Sequence, residues 1–175
     1  MKNFQLTLIT ILVLLFPCLG CSTPMTGKIV DAESGQPIEG AIMLVEWTKV
    51  YGFGNTYTKS EKVVEVFSDK DGIINIPGYN DPTVARPDIT IYKPGYVAWN
   101  NRWIFPDTRK RTDYKWKDGY VFKLERFKEG YSYVNHEGFI SLCIHYTQAF
   151  DKKKQFRDMY EKAESEKYKK ELLHE

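Results

Sequence analysis

The chain has 175 residues, 42% hydrophobic and 27% charged, with a formal net charge of +2. Those proportions fit a folded body and exclude a chain disordered throughout. The near-balanced charge leaves no electrostatic footprint for nucleic acid, so no nucleic-acid partner is expected.

Residues 1–20 read as an export signal. Lys2 is followed by a largely apolar run from Phe4 to Phe16, interrupted by Gln5, Thr7 and Thr10. As a helix that run reaches roughly 20 Å, short of the ~30 Å hydrocarbon core of a bilayer. Pro17 breaks it, and the segment Cys18-Leu19-Gly20-Cys21 resembles the lipobox of bacterial lipoproteins, where a small residue precedes the modified cysteine. The departure is Cys18, where that family usually has Leu. The resemblance implies lipidation of Cys21, a membrane partner held through that lipid, and a short tether over 21–24. Of the three cysteines only Cys143 then stays a free thiol, and its neighbours Leu142 and Ile144 predict that it is buried.

From Met25 onward the chain alternates strands and turns. Met25 to Asp31 begins a strand, and Gly35-Gln36-Pro37 is a turn. Ala41 to Val50 is a strand with Met43, Val45 and Trp47 on one apolar face, and Ile42, Leu44, Glu46 and Thr48 on the other. Tyr51 to Asn55 is a Gly-containing connection, and Lys62 to Phe67 a strand. Asp69-Lys70-Asp71-Gly72 is a turn before Ile73, Ile74 and Ile76. Asp88 to Tyr92, Val97 to Trp99 and Gly119 to Phe127 complete about seven short strands. Such spacing without a helical period predicts a mainly β fold, an antiparallel β-sandwich over 25–127. The remainder, 128–175, differs. Gly130 to Gly138 reads as irregular, and no Gly or Pro follows Gly138. Phe156, Met159, Tyr160 and Ala163 fall at helical spacing among interleaved charges, which predicts a helical tail from about Phe139 to His174, broken near Thr147 to Asp151. Docking on the sandwich, pairing with another chain and projecting into solvent all stay open for this tail.

Four motifs in order, Gly27-Lys28-Ile29-Val30-Asp31, Gly35-Gln36-Pro37-Ile38-Glu39-Gly40-Ala41, Ser68-Asp69-Lys70-Asp71-Gly72 and Lys93-Pro94-Gly95-Tyr96, resemble the carboxypeptidase regulatory-like domain. The resemblance covers roughly residues 25 to 100, with the last strand near 119–126. It implies a transthyretin-like (prealbumin-type) β-sandwich and a non-catalytic module for support, adhesion or ligand contact. It carries over no active-site residue and implies no cofactor. Two parts lie outside the family pattern: an insertion over 100–118 and the helical tail.

The insertion and its flanks are rich in rings and cations. Trp99, Trp103, Tyr114 and Trp116 are interleaved with Arg102, Arg109, Lys110 and Arg111. Exposed rings stack on sugars and cations reach anionic groups, so these eight residues are the candidate contacts for an envelope glycan, a lipid head group or a protein partner. The alternative is that the rings cover the sandwich edge while the charges are solvated. His136-Glu137 opens a different possibility, an accessory hydrolase or metal-binding protein, with His145 joining only through tertiary folding. No His stands four residues after His136, as a metal-binding helix would need. Asp69 and Asp71 are explained by their turn, and no metal site is expected. In the Gram-negative lipoproteins that the lipobox resembles, an Asp after the cysteine commonly marks inner-membrane retention. Ser22 stands there, which implies the outer membrane, facing the periplasm or the cell surface.

Overall fold

The computed structural model describes residues 21–22, 24–84, 86–144 and 154–173. The expected export signal, the expected break near 147–151 and His145 lie outside them. In chain order the elements are β1 (Cys21–Ser22), β2 (Met25–Asp31), β3 (Ile42–Tyr51), β4 (Tyr57–Phe67), β5 (Ile73–Ile76) and β6 (Tyr79–Asn80). Then follow β7 (Asp88–Tyr92), β8 (Trp99–Asn100), β9 (Trp103–Ile104), β10 (Arg109–Lys110), β11 (Tyr120–Leu124), α1 (Tyr133–Cys143) and α2 (Lys154–Leu172).

Two sheets make the mainly β body. One has the order β4-β3-β7-β8 and the other β11-β2-β5. Their pairs are antiparallel except β11 with β2, which runs parallel from Tyr120↔Gly27 to Leu124↔Asp31. The reason lies at the end of the insertion. Gly119 N–H donates to the Thr26 carbonyl (2.7 Å), and the Asp118 carboxylate accepts from Thr26 N–H (2.7 Å). These bonds seat the start of β11 beside the start of β2. Gly27 is required there, because a Cβ would come within 2.6 Å of the Phe122 ring.

The inner faces meet as the alternation predicts. Met43, Val45 and Trp47 of β3 pack with Ile89 and Ile91 of β7 against Ile29, Ile74, Ile76, Phe122 and Leu124. The other face of the larger sheet is buried too. Ile42, Leu44 and Tyr92 lie under Phe139, Ile140 and Cys143 of α1 and Phe156 of α2. The tail therefore docks, and the molecule has three layers: helices, four-stranded sheet, three-stranded sheet.

Tertiary caps hold both helices in place. Ser132 caps α1, its Oγ accepting from Asn135 N–H (3.0 Å). Glu171 near the end of α2 accepts from the Ser132 hydroxyl and from Tyr133 N–H (2.6 Å). Glu65 of β4 accepts from Phe156 N–H (2.8 Å) and Gln155 N–H (3.2 Å), which sets a carboxylate at the positive end of α2. α1 begins at Tyr133, earlier than the expected Phe139, so 133–138 is helix and not irregular chain. Gly138 is tolerated inside it at about 1 kcal/mol relative to Ala, because the cap and the docked face outweigh its propensity.

Register also defines two ends of the sandwich. The pairs Met25↔Ile76, Tyr120↔Gly27 and Glu46↔Asp88 gather the start of β2, the start of β11 and the later half of β3 at one end. β1 pairs with β6 there, Cys21 opposite Asn80 and Ser22 opposite Tyr79. At the far end Asp31 accepts from Ser34 N–H (2.8 Å) and from the Tyr96 hydroxyl (3.0 Å), and pairs with Arg126 Nε (2.7 Å). The Ser34 amide is the main influence holding its carboxyl down at about 2, although burial opposes it.

Candidate functional site

β8 and β11 are edge strands of different sheets on the same side of the sandwich. Val97 N–H donates to the Glu125 carbonyl (2.8 Å), and Tyr96 bridges to Arg126, so the two edges are tied at the far end. Between them runs a groove of about 410 Å³ along Val97–Trp99, Lys123 and Glu125, with Arg109 and Arg111 from the insertion on its rim. A second recess of about 390 Å³ shares Trp99, Arg111 and Lys123 and reaches Lys117, Gly119 and Tyr120.

Trp99 is a buried wall. Its ring meets Phe122 edge-on (centroids 5.0 Å, 86°) and Tyr114 at 5.5 Å. The Arg111 guanidinium lies over it, 4.6 Å from the ring centroid. Arg111 Nε donates to the Asn100 carbonyl (2.7 Å), and its other end pairs with Asp113 (3.3 Å). The groove's lining carries four cations, Arg109, Arg111, Lys123 and Lys128, beside three acids, Glu33, Asp113 and Glu125. Arg111 and Lys128 are paired, with Asp113 and Glu125. Arg109, Lys117 and Lys123 are exposed, and none meets an acidic partner among the described residues.

Of the eight candidate contacts, Trp99, Arg109 and Arg111 line this groove. Tyr114 and Trp116 pack against the inter-sheet core, and Trp103 against the core beneath the helices. Arg102 pairs with Asp88, and the exposed Lys110 stands in the β9–β10 pair opposite Trp103. Lys123 and Lys128 lie beyond the aromatic-basic stretch and were not singled out. The signal for Lys123 was its place between Val121 and Glu125 on the outward face of a strand.

His136 and Glu137 do not converge. The His136 ring is fully buried; Ala98 N–H donates to its Nε2 (2.9 Å), and Nδ1 faces Glu164 Oε2 (3.1 Å). An amide can only donate, so Nε2 accepts and the ring proton sits on Nδ1, aimed at Glu164. Glu164 also accepts from the Tyr92 hydroxyl (2.8 Å). Glu137, on the next helical position, accepts from Ser141 (2.9 Å) and lines a separate shallow cleft between the helices. The expectation of an accessory site built on this pair is corrected on that ground: both ring nitrogens are spent inside the core. Among the described residues no group of three His, Cys, Asp or Glu gathers as a metal site. Cys143 is buried as expected, and burial pushes its thiol up to about 12, which removes the nucleophilic thiolate at neutral pH. Burial and the neighbouring Glu46 raise Asp88 to about 6 against the pull of Arg102. No helix among the described residues is long and apolar enough to cross a membrane.

No family model matches the sequence, and no curated protein matches it either. Solved structures of the shaft pilin spaA from Lactobacillus rhamnosus GG are similar in part. One single-site mutant aligns at 19% identity with a TM-score of 0.35, over 61% of this chain and 47% of that one. A second aligns at 20% identity and TM-score 0.35, over 62% and 46%. The matched region thus spans about half the length of those pilin chains.

Proposed function

We propose that this chain is a non-catalytic, lipid-anchored protein of the cell envelope, whose β-sandwich holds an acidic envelope glycan in the cationic groove between β8 and β11. One observation carries the ligand class: Arg109 and Lys123 line the groove and Lys117 the recess that adjoins it at Lys123, and none of the three has an acidic partner among the described residues. Charge-assisted bonds to carboxylate or phosphate groups are the interactions such a set makes. The envelope setting rests on the signal-like residues 1–20 and on the Cys21 lipobox resemblance. The carboxypeptidase regulatory-like reading draws support from motif residues that are distant in sequence and meet in space, Asp31 with Tyr96. The outer membrane follows from Ser22 by the same resemblance.

The binding test is a pull-down on purified lipopolysaccharide and on peptidoglycan. The triple variant R109A/K117A/K123A should be retained about tenfold more weakly, since three exposed ion pairs at about 0.5 kcal/mol each sum to that loss. Raised salt should release the wild type. Retention of the triple variant equal to wild type would remove the groove. Lipidation is tested by incorporation of a fatty acid analogue, which Cys21→Ala should abolish; equal labelling of the two proteins would remove the anchor.

A further inference from the structure

The strongest surface feature outside the groove is the free end of the β3–β4 hairpin. β7 pairs with β3 only as far as Glu46↔Asp88, yet β3 and β4 stay paired to Tyr51↔Tyr57. From Glu46 to Tyr51 is about 17 Å of two-stranded ribbon beyond the last β7 pair. Its tip is apolar and open: Phe53 is fully exposed, Val50 63% and Tyr57 61%. Tyr51 and Tyr57 stack with centroids 5.7 Å apart, and Lys49 lies 5.5 Å from the Tyr51 ring. Lys59 stands opposite Lys49 in the register. Exposed rings flanked by lysines are the composition of a surface that sits at a membrane interface, with apolar groups in the acyl boundary and cations at the phosphates.

The position of this tip names its occupant. The ribbon leaves the sandwich at the end where β1 pairs with β6. Asp81, next to the Asn80 that pairs with Cys21, interacts electrostatically with both Lys49 and Tyr51. Cys21 itself stands four residues before Met25, at most about 13 Å of chain. An anchor at Cys21 and the tip therefore approach the same plane.

We propose that the tip of the β3–β4 hairpin, through Val50, Phe53 and Tyr57 with Lys49 and Lys59, inserts into the bilayer surface to which Cys21 is tethered. This rests on the lipid-anchor reading and deepens it. The membrane contact thus lies at the hairpin tip and not at the aromatic-basic insertion, whose Trp99, Tyr114 and Trp116 rings are engaged in the core. A lipid supplemented by a local apolar contact gives both firmer anchoring and a fixed orientation, which leaves the β8–β11 groove at the side of the tethered molecule.

The test uses the full chain, processed in a bacterial host and reconstituted into vesicles of phosphatidylcholine with phosphatidylglycerol. An environment-sensitive dye is placed on Asn55→Cys at the tip or on Asp71→Cys in the turn at the far end. Cys143 is buried and does not compete for label. The dye at position 55 should shift to the blue and be quenched by lipids brominated in the acyl chain; at 71 it should keep its aqueous emission. Adding Phe53→Ser and Val50→Ser should abolish the difference without moving the unfolding midpoint. Water-like emission at 55, or equal quenching at both positions, overturns the proposal. Failure of the anchor reads differently, as absent fatty acid labelling. The Cys21→Ala protein, prepared without residues 1–20 and so without Cys18, dye-labelled and added to the same vesicles, then still reports the tip, with binding about tenfold weaker once Phe53 is Ser.

Discussion

The two faces of the four-stranded sheet are buried by different chemistry. The inner face, Met43, Val45, Trp47, Ile89 and Ile91, meets another sheet and is wholly apolar. The outer face combines Ile42, Leu44 and Tyr92 with the buried polar groups Glu46, Thr48, Asp88 and Thr90, and it meets helices carrying His136 and Glu164. The inner layer is held by non-directional transfer of apolar surface from water. The outer one depends on a chain of specific bonds, Ala98 to His136 to Glu164 to Tyr92, in which each buried group has a partner. Such a network fixes the position of a helix that has little apolar surface of its own, and it makes that layer sensitive to the loss of a single partner.

Several substitutions probe that contrast. Trp47→Ala should lower stability by about 4 kcal/mol in urea unfolding and expose both sheets together, because the inner core is shared. Phe156→Ala, about 3 kcal/mol, should instead release the helices first: amide exchange should quicken in α1 and α2 while β3 and β5 stay protected. A single cooperative loss in both variants would mean that the layers are one folding unit. Glu164→Ala leaves the Tyr92 hydroxyl and the His136 Nδ1–H buried without their acceptor, and should cost about 2 kcal/mol. Tyr92→Phe, losing one bond without stranding a donor, should cost about 1 kcal/mol. Glu65→Ala removes the cap of α2 and should cost about 1 kcal/mol, with helix content read by circular dichroism.

The smallest effects are in pH dependence, and here two aspartates oppose each other. Asp88 keeps its proton to about pH 6 in the folded chain but only to 3.8 when exposed. The folded state binds more protons in that window, so stability from this group falls as pH rises from 3.8 to about 6. Asp31 is held down at about 2, so its stabilisation is present above 3.8 and is lost as pH falls toward 2. Asp88→Asn should flatten the slope between pH 4 and 6 and leave the acid limb; Asp31→Asn should do the reverse. Equal slopes in wild type and Asp88→Asn would remove the assignment.

Much of the fold was legible because it rests on local rules. Period-two alternation placed β2, β3, β5, β7 and β11 and sorted the faces of β3. Asp69 to Gly72 made its turn: the Asp69 carboxylate accepts from Asp71 N–H (2.9 Å) and Ile73 N–H (2.8 Å), while Gly72 takes φ +74° with no room for a Cβ. The apolar outer half of β3 was visible too, but not what covers it. The start of α1, 133–138, was not legible because it is signalled by one serine, and the glycine within it reads locally as a breaker. The site was legible only as a composition. A list of rings and cations over 96–120 cannot say which side chains face each other, since that depends on where two edge strands from different sheets come to lie.

By itself the sequence determined the longer strands, their turns and the inner core, all features written within about ten residues of one another. Tertiary structure alone decided the rest. It set β11 parallel to β2, docked a hydrophilic helix through Glu65 and Glu171, withdrew His136 from chemistry by occupying both its nitrogens, and placed Arg109 and Lys123 on one groove with Lys117 in the recess beside it. The physical reason is common to the first three. Each rests on a polar group whose partner lies tens of residues away, and a hydrogen bond or a field between distant residues leaves no period in the sequence.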